Sequence, residues 1–339
     1  MSQEPRKTLN FDFGEKDIQE LFRPFDPEQF ANAKLPKVDT PLPIVLCHGI
    51  ARPDYLIDSI FRTLNLSLYD FSFVSDRFHY FRGIASHLKK HGFEVYHTSV
   101  SFAAGVERRA KDLRKEISKI LDKSGEEKLH IIAHSMGGLD ARRMIVHENM
   151  ADKIASLTTI GTPHWGTSVA DFAMKYGIDK VIGILNKIIN LEGIKSCTFA
   201  DCIAFNESAR NNEASNEVVY QVYYSSQVYH RTFLPFQPAW KIITEKEGEN
   251  DGLISVKSQC WTPMLVSDDG TIKIVKQHKF PIPADHLDEM GWWNLNELHK
   301  AGWWNLHALR EKNHHEEIIK NVYLKIAREV SGSAVSKVK

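Results

Sequence analysis

The stretch Leu129-His130-Ile131-Ile132-Ala133-His134-Ser135-Met136-Gly137-Gly138 constrains this chain more than any other. An apolar run of strand length feeds a serine flanked by small residues and passes at once into Leu139 to His147, which reads as helix. A turn that tight holds the serine in a strained backbone conformation. Bulky side chains two residues to either side would strike the neighbouring strand and helix. Ala133 and Gly137 occupy those places. Alanine where such turns usually carry glycine adds one methyl and keeps the steric logic. The form is that of a nucleophile elbow.

The surrounding pattern supplies the sheet that an elbow needs. Ile44 to Cys47 is a short apolar run before His48-Gly49, and Phe93 to Val100, Ala155 to Ile160 and Val218 to Tyr224 are further strand segments. Between them Val106, Ala110, Leu113, Ile117 and Ile120 recur at helical spacing, as do Ile318, Ile319, Val322, Tyr323 and Ile326 near the end. Strands alternating with amphipathic helices imply an α/β fold, a mostly parallel central sheet with helices on both faces. Residues 1–40 read as an arm, 41–330 as one domain with an insertion at about 167–217, and 331–339 as a tail. In the insertion Ile178, Val181, Ile182, Leu185, Ile188 and Ile189 form an apolar helical stripe, suited either to core packing or to a lid that opens at an oil–water interface. The pentapeptide Gly291 to Leu295 recurs at Gly302 to Leu306, an offset that returns to nearly the same helix face and suits core packing against the sheet edge.

Lys plus Arg and Asp plus Glu both number 43, which leaves no basic footprint for a nucleic acid. Hydrophobic residues at 42% and charged residues at 25% are globular values. No uncharged apolar run approaches the length of a membrane span, and the first thirty residues show no secretory signal, so a cytoplasmic location is the expectation. Cys47, Cys197, Cys202 and Cys260 lack metal-binding spacing, and in that compartment free thiols are expected. The His-rich end, with His299, His307, His314 and His315, also lacks a ligand constellation.

A serine hydroxyl is a poor nucleophile until a base takes its proton and an acid orients that base. Behind an elbow these follow in the order acid, then histidine, each on a loop after a later strand. Asp251 in Glu249-Asn250-Asp251-Gly252 and His286 in Ala284-Asp285-His286-Leu287-Asp288 fit that order and context. Asp268, Asp269 and Asp285 are rival acids, and His278 is the nearest rival base. The oxyanion of a tetrahedral intermediate needs two preorganised N–H donors, expected from Met136 after the serine and from Ile50 after Gly49.

Taken together the chain resembles the bacterial-type true triacylglycerol lipases of the α/β-hydrolase superfamily and the related yeast mitochondrial lipases. The resemblance rests on Pro43 to Ile50, Tyr80 to Ile84, Ala133 to Arg143, Thr158 to Phe172, Val222 to Ser226, Glu249 to Val256 and Asp285 to Met290, in family order. It implies an α/β-hydrolase fold with a helical lid, Ser135 as nucleophile, Asp251 as acid, His286 as base, and Ile50 and Met136 as oxyanion donors. It implies a lipid or small-ester substrate met at a lipid interface, and ester chemistry that requires no cofactor. It also implies a structural calcium held partly by an Asp two residues after the catalytic histidine, here Asp288. The second carboxylate of that site has no Asp counterpart, because Gln227 to Gly248 offers only Glu245 and Glu247. A phospholipase, acyltransferase or polyester depolymerase would use the same triad, and a noncatalytic scaffold for a hydrophobic ligand would share the fold.

Overall fold

The computed structural model describes residues 41–49, 80–101, 104–177, 191–292 and 306–335. The arm at 1–40, Ile50, the stripe from Ile178 to Ile189 and most of the Trp repeat lie outside the described residues.

The apolar run after Pro43 forms β1 (Ile44–Cys47), buried along its whole length. Helix α1 (Ile84–Lys90) leads into β2 (Val95–His97), and α2 (Val106–Ser124) into β3 (Leu129–His134). The elbow then opens α3 (Met136–His147), followed by β4 (Ile154–Ile160), α4 (Ser168–Tyr176), α5 (Leu191–Lys195), α6 (Phe199–Ser215) and β5 (Val219–Tyr224). After α7 (Gln237–Lys246) and α8 (Val256–Gln259) come β6 (Met264–Val266), β7 (Ile272–Ile274), β8 (Lys276–Lys279) and the long α9 (Leu306–Val335). The main sheet has the order β2-β1-β3-β4-β5-β8, with every pairing parallel, while β6 and β7 form a separate antiparallel ribbon.

Alternation along the strands divides the core. Val45 and Cys47 of β1 and Ile131 and Ala133 of β3 pack with Leu113, Ile117, Met144 and Ile145 of α2 and α3. Ile44, Leu46 and Ile132 point the other way, onto Ile84, Leu88, Ile319, Tyr323 and Ile326 of α1 and α9. Both faces of the sheet are therefore covered, which is why its central strands read as continuous apolar runs. Each such Leu or Ile removed from water contributes roughly 1.5–3 kcal/mol.

Two boundaries and one additional strand differ from the sequence reading. The segment Phe93 to Val100 pairs as strand only over Val95–His97, since Phe93 still closes the turn after α1 with its N–H on Leu88 O. Strand β8 carries the polar sequence Lys-Gln-His-Lys at a sheet edge and gives no apolar signal. Helix α9 runs on to Val335, into the stretch read as tail. All four cysteines are free thiols. No helix among the described residues is long and apolar enough to cross a membrane.

Candidate active site

Ser135 ends β3 and caps α3 with φ 58° and ψ −137°, the strained left-handed turn that its small neighbours predict. The steric demand is visible at Gly137. A Cβ there would lie 2.7 Å from His48 O and 2.8 Å from Cys47 O, both backbone atoms. Gly49 is equally confined, because its Cβ would come 2.7 Å from Ser135 Cβ and 2.7 Å from the Tyr80 hydroxyl. The main chain is pinned too: Ser135 N donates to Ile160 O, and Ser135 O accepts from Gly138 N and Thr162 Oγ1.

The residues expected from the sequence come together here. His286 Nε2 lies 2.8 Å from Ser135 Oγ, and His286 Nδ1 lies 2.8 Å from Asp251 Oδ2. Asp251 is fully buried and otherwise satisfied. Its Oδ1 accepts from Leu253 N and Ile254 N, and its Oδ2 also accepts from Gln259 Nε2. With Asp251 accepting at Nδ1, the neutral imidazole carries its proton there and leaves Nε2 free to take the serine proton. The loops that bear acid and base are also joined directly, His286 N donating to Asp251 O at 2.9 Å. Met136, as the first residue of α3, has no intrahelical acceptor for its N–H, which suits it to an oxyanion. The other expected donor, Ile50, lies outside the described residues, directly after Gly49.

The rival residues have other duties. Asp268 and Asp269 sit in the turn between β6 and β7, Asp268 paired with Arg210 and hydrogen-bonded to Asn211. His278 stacks on Tyr223 at 4.7 Å. Asp285 is buried and accepts from Phe233 N, Leu287 N and Asp288 N, and burial pushes its carboxyl up to about 6.

Asp288 does not build a calcium site with these residues. One of its carboxylate oxygens accepts from Asp285 N, and the other faces His315 Nε2 at 3.7 Å. Glu247 gives its two oxygens to Ser168 N and Ser255 Oγ, and Glu245 is exposed. A hard cation needs several converging oxygens. Among the described residues Asp288 belongs to no group of three or more ligating side chains. The group that does converge is His134, His286 and Glu289, which includes the triad histidine itself.

His134 and Glu289 were not anticipated. His134 Nε2 lies 3.0 Å from Glu289 Oε2, His134 Nδ1 lies 2.7 Å from the Tyr80 hydroxyl, and its ring packs against His286 with centroids 4.5 Å apart. Burial, reinforced by the adjacent His286, holds His134 well below the usual histidine range. Burial and the nearby Asp251, Asp285 and Asp288 carboxylates hold Glu289 well above the usual carboxylate range. Burial thus disfavours charge on both members of this pair. Glu289 Oε2 also stands 3.8 Å from His286 Nδ1, so Asp251 is the closer partner of the histidine. Only the position of His134 beside the serine signalled this pair in the sequence.

Arg109 was also missed, although it falls three residues after Val106 on the side of α2 that packs inward. A charged residue on an apolar stripe is the signal that could have found it.

Comparison with known proteins agrees with this picture. The family model described as alpha/beta hydrolase fold matches residues 43–180. Triacylglycerol lipase 2 of Saccharomyces cerevisiae is 29% identical over 280 residues, covering 74% of this chain and 81% of that protein. A triacylglycerol lipase of Pseudarthrobacter phenanthrenivorans is 35% identical over 136 residues, which is 39% of this chain and 36% of that protein. Among solved structures, the mature Bacillus licheniformis lipase BlEst2 superposes with a TM-score of 0.52 at 17% identity, covering 78% of this chain and 92% of that one. A metagenomic carboxyl esterase gives 0.57 at 15% identity, over 89% of this chain and 80% of its own. A parallel sheet in this order, with a strained serine at the end of its third strand, agrees with the alpha/beta hydrolase fold that the family model describes for residues 43–180.

Proposed function

We propose that this chain is a serine carboxylic-ester hydrolase that cleaves acylglycerol-type lipid esters with Ser135, His286 and Asp251. The observation that carries the reading is the unbroken chain from Ser135 Oγ to His286 to Asp251, each link 2.8 Å, set on a strained elbow. The acylglycerol substrate class follows the triacylglycerol lipases that the chain is similar to.

Ser135 Oγ attacks the ester carbonyl carbon while its proton passes to His286 Nε2, and the imidazolium is held by Asp251. The carbonyl oxygen becomes an oxyanion against the N–H of Met136 and the expected N–H of Ile50. Each such donor is worth about 10² to 10³ in rate. When the C–O bond breaks, His286 Nε2–H protonates the leaving alcohol. A water then gives its proton to His286, attacks the acyl group and releases the fatty acid, returning the proton to Ser135. No step calls for a metal or an organic cofactor.

Hydrolysis of p-nitrophenyl butyrate and palmitate by wild type and Ser135→Ala, under matched conditions, tests this. Turnover that Ser135→Ala abolishes, with strong activity on the palmitate, supports a lipase. An inactive wild type that also fails to react with a fluorophosphonate, or a mutant as active as wild type, refutes the assignment.

A further inference from the structure

Arg109 is fully buried, and its guanidinium is spread over more partners than charge neutralisation requires. Nε and Nη2 lie 2.8 and 2.7 Å from Asp140 Oδ2. Nη1 donates to Ser101 O at 2.9 Å, and Nη2 donates to His48 O at 2.9 Å and to Gly49 O at 3.1 Å. The acceptors belong to separate pieces of the site. Asp140 is on α3, the helix that begins at Met136, while His48 and Gly49 form the turn after β1. Ser101 follows β2. One side chain therefore ties the nucleophile helix to two of the loops at the C-terminal edge of the sheet.

The tie falls where small displacements matter. The 48–49 turn is in contact with Ser135 across Gly49 and with α3 across Gly137, with no slack at either glycine. The Gly49 carbonyl also belongs to the peptide unit whose N–H is the second expected oxyanion donor.

We propose that Arg109 is a positioning residue for ester hydrolysis, its guanidinium locking the 48–49 turn against the nucleophile helix so that the turn and the Met136 N–H keep fixed places about Ser135. The role rests on the hydrolase reading above. It requires the planar fork of arginine, because a lysine ammonium in the same place is one nitrogen and cannot serve Asp140 and three carbonyls of two loops together.

Two variants test it. Arg109→Lys keeps the charge opposite Asp140 and loses the fork. The pair Arg109→Met with Asp140→Leu removes both charges at once, an exchange that buried ion pairs commonly tolerate without loss of stability. Both are expected to fold, to lose about 10- to 100-fold in kcat with KM within about threefold, and to weaken binding of an aliphatic trifluoromethyl ketone by the same factor as kcat. That inhibitor forms an anionic adduct on the serine, so its affinity reports the oxyanion site rather than general integrity. A folded variant with kcat within about threefold of wild type overturns the proposal, as does a kcat loss with unchanged ketone affinity. Failure of both variants to fold also overturns it, by assigning Arg109 to the fold alone. If wild type itself shows no turnover that Ser135→Ala removes, the hydrolase reading has failed instead.

Discussion

Gly137→Ala isolates the steric requirement of the elbow from its chemistry. The added methyl would meet His48 O at 2.7 Å and Cys47 O at 2.8 Å, where ordinary contact begins at 3.4 Å. The turn after β1 must therefore retreat from α3 by about 0.7 Å, since its backbone has no rotamer with which to escape. Two terms oppose each other in stability. Alanine in a helix interior is favoured over glycine by about 0.5–1 kcal/mol. Overpacking costs about 1–3 kcal/mol, which leaves a net loss of about 0–2.5 kcal/mol. The effect on catalysis is larger, because the same retreat moves the oxyanion turn away from Ser135, and displacements near 1 Å cost about 10²-fold in rate. Urea titration with parallel kcat/KM measurements on the butyrate and palmitate esters reads both quantities. Gly332→Ala is the control: it lies in α9 with open space where the Cβ would sit, and it should gain stability and leave kcat/KM alone. If Gly137→Ala keeps kcat/KM within about threefold, the turn does not have to be where we place it, and the steric argument for the elbow is wrong.

Two other outcomes are expected. Glu289 keeps its proton in the folded protein at pH values where the unfolded chain has released it, so its contribution is fully present below the ordinary carboxylate pKa and is lost as pH rises toward the raised one. Glu289→Gln should therefore flatten the fall in stability above the ordinary carboxylate range, by up to about 1.4 kcal/mol per pH unit, read from urea midpoints; identical slopes would show an ionised Glu289. Arg142 is fully buried, donates to both oxygens of Glu213 and lies 3.8 Å from the Trp261 ring centroid. Arg142→Ala strands the Glu213 carboxylate and should cost about 3–5 kcal/mol in urea or thermal unfolding.

The sequence was most legible where local sterics and long-range packing ask for the same residues. Ile131, Ile132, Ala133 and Gly137 announce a buried strand and a cramped turn at once, and the structure meets both demands there. Asp251 and His286 were legible through chain order and turn chemistry. What stayed hidden depends on partners distant in sequence. Arg109 is one arginine among many until Asp140, His48 and Gly49 surround it, and Glu289 is an ordinary acid until burial beside His134 strips it of water. Strand β8 is hidden for another reason: an edge strand with one neighbour needs no apolar run, and its lysines discourage further pairing.

The hydrogen bond from His286 N to Asp251 O has a consequence for how this site tolerates change. Acid and base are carried on loops stapled main chain to main chain, so a disturbance of either loop carries both groups along and leaves the Asp251–His286 link at its 2.8 Å. The serine arrives separately, from the centre of the sheet. Alignment of the triad thus reduces to one adjustable separation, that between Ser135 Oγ and His286 Nε2, and drift in the outer loops would be felt as a change in that single distance long before the acid–base pair came apart.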